Sequence, residues 1–320
     1  MSKFPSKETF KNKKTKPHQF IETFLGYDSF FLQKNIFPKK VRGCYVYDVV
    51  GQKFVDFFLD YGRLYLGFSD KYLTKMLKNY LKSTVFSYSN GMFTYRFLKL
   101  LDDITGNRFR SFKFVREFEL SEVIRKLVGD NFYVNNDFLK EFLRAERSDN
   151  FDVFEPFDDS FSPIRSEKRS KVLFLGRGIR YSEVIDMLRE VDVDFIVFGF
   201  GRFYGIIGDK IESIETRISE FEAVLGYYYT IRETFLVRKK INKLWSLVRR
   251  WLYKFVDLGI SDINPYSIKF KSELPEFFNQ SLLEEGILSC GNTLYFSYQH
   301  EENDFRRLRR KLNQVLGLTT

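Results

Sequence analysis

An α/β fold built on a mostly parallel sheet is predicted, and three observations predict it. The chain has 320 residues, enough for one large domain or two moderate ones around a buried core. Its middle alternates buried-type strands with a helix: Lys171 to Leu175, then Ser182 to Glu190, then Asp194 to Phe198. That alternation is the signature of parallel strands joined by crossover helices. Hydrophobic residues make up 44% and charged residues 29%, a globular profile.

The elements follow in order. Residues 1–20 are a loose basic arm, and 20–37 carry a short helix and its exit. Cys44 to Tyr47 and Lys53 to Phe57 are β-prone runs around the polar break Asp48-Val49-Val50-Gly51, which predicts a hairpin. Tyr72, Leu73, Met76, Leu77, Tyr80 and Leu81 have helical spacing. A second helix covers Tyr95 to Ile104 and ends near Gly106. Phe112 to Val115 reads as a strand, with a helix from Ser121. Residues 145–170, rich in charge, Ser and Pro, read as a linker or surface loop. From Ile211 the chain turns helical, with a long segment over about 231–256. A strand over Leu294 to Ser297 and a helix from about Asn303 to Leu316 close it.

Phenylalanine is over-represented, with 38 residues, which we read as drift in base composition rather than a folding requirement. The net charge is +10, with basic runs over Lys11 to Lys16, Arg238 to Lys243 and Arg306 to Lys311. Such a balance favours anionic partners, against the plain alternative of a solvated lysine-rich surface. Only Cys44 and Cys290 occur, so neither a disulfide framework nor a zinc site is implied. The polar start lacks a signal-peptide core, and the most apolar stretch, Val193 to Gly208, is too broken to span a bilayer. A cytoplasmic protein is expected.

The hairpin region resembles the N-terminal signature of the class III aminotransferases, the relatives of glutamate-1-semialdehyde aminomutase. Gly43, Tyr45, Asp48, Gly51, Asp56, Gly62 and Gly67 stand in the family's order and spacing. Near the other end, Glu285-Gly286-Ile287 and Ser297 through Asp304 resemble its closing strand and the acidic turn before its last helix. The resemblance is good over 36–106, fair over 280–317 and an outline between. It implies a reduced three-layer domain of the fold-type-I pyridoxal-phosphate-dependent transferase kind with a mostly parallel sheet. A small α+β subdomain from the chain ends would pack beside it. The implied division is 21–68 with the hairpin, 69–234 as the large domain and 235–320 as a long helix and small subdomain.

Chemistry in that family needs a lysine for the Schiff base and an acid to keep the pyridine nitrogen protonated. The resemblance places the lysine position on Arg202, or on Phe200 in the ungapped register, and neither can form an imine. Lys210 lies at the wrong end of the turn. The pyridinium acid falls on Leu175, and the phosphate cup falls on Arg116-Glu117-Phe118-Glu119, where two carboxylates would repel an anion. No His-Gly pair occurs between 120 and 170, and the shortness of that interval suggests deleted strands. The expectation is therefore a pseudoenzyme with no catalytic residue and no cofactor. The alternative is a pyridoxal-phosphate aminotransferase or aminomutase, alone or with an intact subunit.

Other motifs weigh less. Gly199-Phe200-Gly201 with Gly205 has imperfect dinucleotide-fingerprint spacing. His300 with Glu301, Glu302 and Asp304 could suggest a metal cluster, but Asn303 or Asp304 capping the last helix explains the acids. His18 and His300 lack a matched nucleophile, and Cys44 and Cys290 read as inert hydrophobes. Val237, Ile241, Leu244, Trp245, Val248, Trp251, Leu252 and Phe255 make an apolar stripe on the long helix. Arg238, Lys239, Lys240, Lys243, Arg249, Arg250 and Lys254 supply its other face, a candidate surface for nucleic acid or an acidic membrane. By resemblance, a homodimer or a heteromer with an intact aminotransferase-like subunit is also expected.

Overall fold

The computed structural model describes residues 34 and 36–316, except 69–70, 84–90, 110, 159–163, 165–168, 178–181, 201–202, 210, 212–219, 232–237, 259 and 272–276. The expected basic arm, His18 and Lys210 lie outside the described residues, as do Gly201 and Arg202.

A seven-stranded sheet forms the centre, in the order β4-β10-β9-β8-β7-β5-β6. Its strands are β4 (Ser111–Arg116), β5 (Tyr133–Val134), β6 (Glu146–Arg147), β7 (Val153–Phe154), β8 (Val172–Leu175), β9 (Phe195–Phe200) and β10 (Phe203–Gly208). Strand β10 is antiparallel to both β4 and β9, and the remaining pairs are parallel. The four residues of β8 and the six of β9 are all buried, because a parallel sheet is covered on both faces.

Side chains alternate along these strands and feed two cores. Leu173, Leu175, Ile196, Phe198 and Phe200 pack beneath α2 (Met92–Thr105), α5 (Ser182–Glu190) and α6 (Glu220–Ile231). Val172, Phe174, Phe195, Val197 and Tyr204 pack beneath α3 (Glu117–Val128) and α4 (Asp137–Leu143). The helix α1 (Lys71–Ser83) lies outside, beside α6. Gly106, left-handed at φ 71°, stops α2 by donating its N–H to the carbonyl of Asp102.

The phenylalanines have a packing role beyond composition. A Cβ placed on Gly205 would meet the Phe112 ring at 2.6 Å, one on Gly208 the Phe195 ring at 2.5 Å, and one on Gly226 the Phe97 ring at 2.6 Å. Phenyl rings thus occupy the space that glycines leave open.

The chain ends meet in a second unit. The hairpin of β2 (Tyr45–Asp48) and β3 (Lys53–Asp56), flanked by β1 (Pro38–Arg42), is turned by Asp48, whose Oδ1 accepts from the N–H groups of Val50 and Gln52. Strand β13 (Ile287–Leu288) adds to β3 in parallel. A three-stranded sheet of β11 (Ile260–Ile263), β12 (Ser267–Phe270) and β14 (Thr293–Tyr295) completes it, with α7 (Arg238–Leu252), α8 (Phe278–Glu284) and α9 (Glu302–Val315). No helix among the described residues is long and apolar enough to cross a membrane.

Two expectations need correction. Residues 145–170 are not a plain linker, because β6 and β7 lie within them and Glu155 there is fully buried. Two-residue strands carry too little periodicity to be read from sequence. The expected turn over Gly201–Gly205 does not extend to its second glycine: Phe203 pairs with Phe200 and Gly205 with Phe198, so Gly205 sits inside a strand.

Candidate functional site

Open parallel sheets bind ligands beyond the carboxyl ends of their strands. At that edge stand Arg116 at the end of β4 and Glu117 after it, Asn136 after β5, Glu155 after β7, Gly176 and Arg177 after β8, and Phe200 at the end of β9. Tyr204, on the returning strand β10, joins them.

The segment over this edge has an uncommon backbone. Leu59, Asp60, Tyr61 and Gly62 have consecutive φ values of 49°, 54°, 56° and 76°. Non-glycine residues rarely hold left-handed conformations in series. Here contacts enforce them: Asp56 Oδ1 accepts from the Phe58 and Leu59 N–H groups at 2.9 and 2.8 Å. The following residue, Arg63, is buried, donates to Tyr204 Oη at 3.1 Å and pairs with Asp60 at 2.9 Å. Its guanidinium also lies 3.1 Å from the Glu117 carboxylate and 5.4 Å from the Phe142 ring centre. Burial pushes the Tyr204 phenol well above its ordinary pKa, so it stays a neutral acceptor for Arg63.

Beside it is a closed ion pair. Arg177 Nε donates to Glu155 Oε1 and Nη2 to Oε2, each at 2.6 Å, with both side chains buried. Asn136 Nδ2 donates to Glu155 Oε2 at 2.8 Å while its Oδ1 caps α4 through the Leu139 N–H. Arg177 Nη2 also reaches the Asp158 carbonyl at 2.9 Å, and the guanidinium lies 4.4 Å from the Phe138 ring centre. Sequence reasoning missed this pair. A carboxylate directly after a short apolar run, Glu155 after Val153-Phe154, was the available signal.

The sequence-derived positions fall as follows. Leu175 is fully buried in the apolar core. Phe200 is buried too, with its ring centre 5.5 Å from Phe97 and 5.9 Å from Phe114. At the α3 N-terminus, Glu119 accepts the Arg116 N–H at 3.2 Å, and Phe118 is 76% exposed. Gly199 packs against the backbone of Gly176, where an added Cβ would lie 1.8 Å from a carbonyl oxygen.

The acids around His300 do not converge. Ser297 N–H donates to His300 Nδ1 at 2.9 Å, so the proton sits on Nε2 and is donated to the Asp56 carbonyl at 3.0 Å. The ring stacks on Phe57 at 4.3 Å, and burial holds its pKa at about 4. Asp304 accepts the Glu301 N–H at 2.8 Å inside the first turn of α9, while Glu302 pairs with Arg306 at 2.9 Å. No group of His, Cys, Asp and Glu among the described residues is arranged to hold a metal. Burial raises the pKa of both cysteine thiols, which keeps them protonated and unreactive.

Between the sheet edge and the smaller unit lies a cavity of about 550 Å³. Arg63, Glu117 and Arg177 form its sheet side, Phe138, Glu141 and Phe142 its α4 wall, and Lys269, Cys290 and Asn292 its far side. Lys269, on β12, and Glu141 make no ion pair among the described residues and bring one cation and one anion to the cavity.

No family model matches the chain, and no curated protein matches it in sequence. Solved structures do. Ornithine δ-aminotransferase of Plasmodium falciparum aligns over 98% of both chains at 13% identity, with a TM-score of 0.67. N-acetylornithine aminotransferase of Stenotrophomonas maltophilia aligns over 93% of this chain and 99% of its own, at 13% identity and a TM-score of 0.67. Ornithine aminotransferase of Toxoplasma gondii, seen with partial occupancy of pyridoxal phosphate, aligns over 99% and 98% at 12% identity, with a TM-score of 0.64. The chain has the aminotransferase fold. Identity at this level establishes the architecture, the mixed α/β body with its largely parallel sheet, and the side chains must speak for the chemistry.

Proposed function

We propose that this chain is a non-catalytic homologue of the class III aminotransferases, working as a binding, regulatory or assembly subunit. The observation that carries the reading is the closed Glu155–Arg177 pair. A pyridoxal-phosphate site needs a carboxylate free to face the ring nitrogen. The two acids at the strand ends are already paired, while Glu141, without an ion pair among the described residues, stands on the α4 wall. Glu155 is saturated by Arg177 and Asn136, and Glu117 is paired with Arg63. Leu175 is apolar and fully buried. The α3 N-terminus, which would cradle a phosphate, carries its own carboxylate in Glu119. The lysine position holds Arg202 or Phe200. These residues do not fit the cofactor.

Any ligand that binds the folded state raises its melting temperature. Addition of pyridoxal phosphate at increasing concentration is expected to leave the melting temperature unchanged. A saturable rise would overturn the reading. The same proposal includes a homodimer or a heteromer with an intact aminotransferase-like subunit, which sedimentation of the purified protein tests.

A second reading has one observation in its favour. Lys269 lines the cavity with no ion pair among the described residues, so an amine from a different strand faces the space beside the sheet edge. On that reading the chain is a pyridoxal-phosphate aminotransferase or aminomutase with a relocated lysine.

A further inference from the structure

The helices α7 and α9 pack against each other and hold the charge of the molecule. Their 29 residues contain eleven Lys or Arg against two acids, Glu302 and Asp304, while the whole chain carries +10. Asp304 is turned into the protein, where it accepts from Tyr45 Oη at 2.9 Å, and Glu302 is paired with Arg306. Glu302 also lies 3.5 Å from Arg250, and Glu285 pairs with Arg310 and Lys311, which leaves Lys243, Arg249 and Arg309 without an ion pair among the described residues.

The arginines there are ordered by stacking. Arg306 and Arg309 lie 5.0 and 5.4 Å from the Trp251 ring centre, and Arg249 lies 5.2 Å from that of Trp245. A guanidinium held near an indole face loses less side-chain entropy when it grips an oxyanion. Lys243, Arg249, Arg250 and Arg306 are exposed.

We propose that the α7–α9 face binds nucleic acid through its phosphate backbone, without reading sequence. The inference is independent of what occupies the cavity. A membrane surface is the competing anion, but an interfacial helix needs a free apolar face. The apolar stripe of α7 is turned mainly inward: Leu244, Val248 and Leu252 are buried in the core of the smaller unit with Leu308 and Leu312 of α9, and Trp245 and Trp251 are half-buried against it. What remains outward is cationic, and arginine forks match phosphate oxygens.

The test uses the full chain with a labelled oligodeoxythymidylate. Affinity should fall steeply from about 50 to about 200 mM salt, and both tryptophans, which lie on α7, should change emission on binding. Charge reversal at Arg249, Arg306 and Arg309 should weaken binding at least about tenfold and flatten the log–log salt slope by about two. Reversal of Lys71, Lys75 and Lys78 on α1 changes net charge equally and should change affinity by no more than about twofold. If the arginine reversal misfolds, the glutamine substitutions R249Q, R306Q and R309Q serve instead. Equal losses from both sets would overturn the assignment to this face, as would unchanged tryptophan emission at saturation. Co-sedimentation with phosphatidylserine vesicles and no oligonucleotide binding would replace nucleic acid with a membrane.

Discussion

Arg177 and Glu155 meet side by side at the carboxyl edge of the sheet, two parallel hydrogen bonds of 2.6 Å with neither side chain exposed. Three further groups complete the arrangement: the Asn136 amide, the Asp158 carbonyl and the Phe138 ring. A guanidinium and carboxylate satisfied this fully by protein have no obvious call on a ligand. The pair locks three strand ends, after β5, β7 and β8, into one unit.

Breaking the pair from one side should therefore cost far more than removing both halves. Arg177→Met leaves a buried carboxylate and should destabilise the fold by about 3–5 kcal/mol in urea unfolding. The double variant Glu155→Leu with Arg177→Met should recover most of that loss. If the double variant is as unstable as the sum of the singles, the two residues are not a coupled pair.

How much of this was legible beforehand depends on periodicity. The helix over Ser182–Glu190 and the hairpin around Asp48 stand where spacing and turn residues put them, because both carry several residues of a single period. The helix after Phe112–Val115 starts at Glu117 rather than Ser121, since Glu119 in its first turn caps the Arg116 N–H. Strands β5, β6 and β7 could not be read, being two residues each and defined only by their neighbours. Of the positions the resemblance singled out, Leu175 and Phe200 are buried in the core and Arg202 lies outside the described residues. The Glu155–Arg177 pair joins residues 22 apart through the sheet, so the one local signal, Glu155 after Val153-Phe154, does not name its partner.

His300 and Asp56 predict opposite pH dependences that offset each other. His300, held neutral at about pKa 4 against the ordinary 6.5 of an imidazole, contributes stability that is present above about pH 6.5 and lost as pH falls toward 4. Burial raises Asp56 from 3.8 to about 7, so its contribution is present below about pH 4 and lost as pH rises through 7. Between pH 4 and 6.5 the wild type should show a flat stability profile. Asp56→Asn should expose the histidine, with stability falling by about 1.4 kcal/mol per pH unit on acidification. His300→Gln should show the opposite slope. Parallel profiles for the wild type and both variants would contradict the tautomer and the burial assigned here.

The glycine–phenylalanine packing makes a rescue prediction. Gly226→Ala places a methyl against the Phe97 ring at 2.6 Å and should cost about 1–3 kcal/mol, despite the better helix propensity of alanine. Phe97→Leu opens the space, so the double variant should be more stable than the summed single losses by about 1 kcal/mol. Additive losses, measured by denaturant unfolding, would mean that the ring does not fill a glycine gap.

Borohydride trapping bears most directly on the central claim. Purified, folded protein is incubated with pyridoxal phosphate, reduced, and mapped by mass spectrometry for a pyridoxyl-lysine. The non-catalytic reading predicts no stoichiometric, site-specific adduct, at Lys269 or elsewhere. A single stoichiometric adduct, abolished by substitution of the lysine that carries it, would contradict that reading and identify a relocated Schiff-base residue.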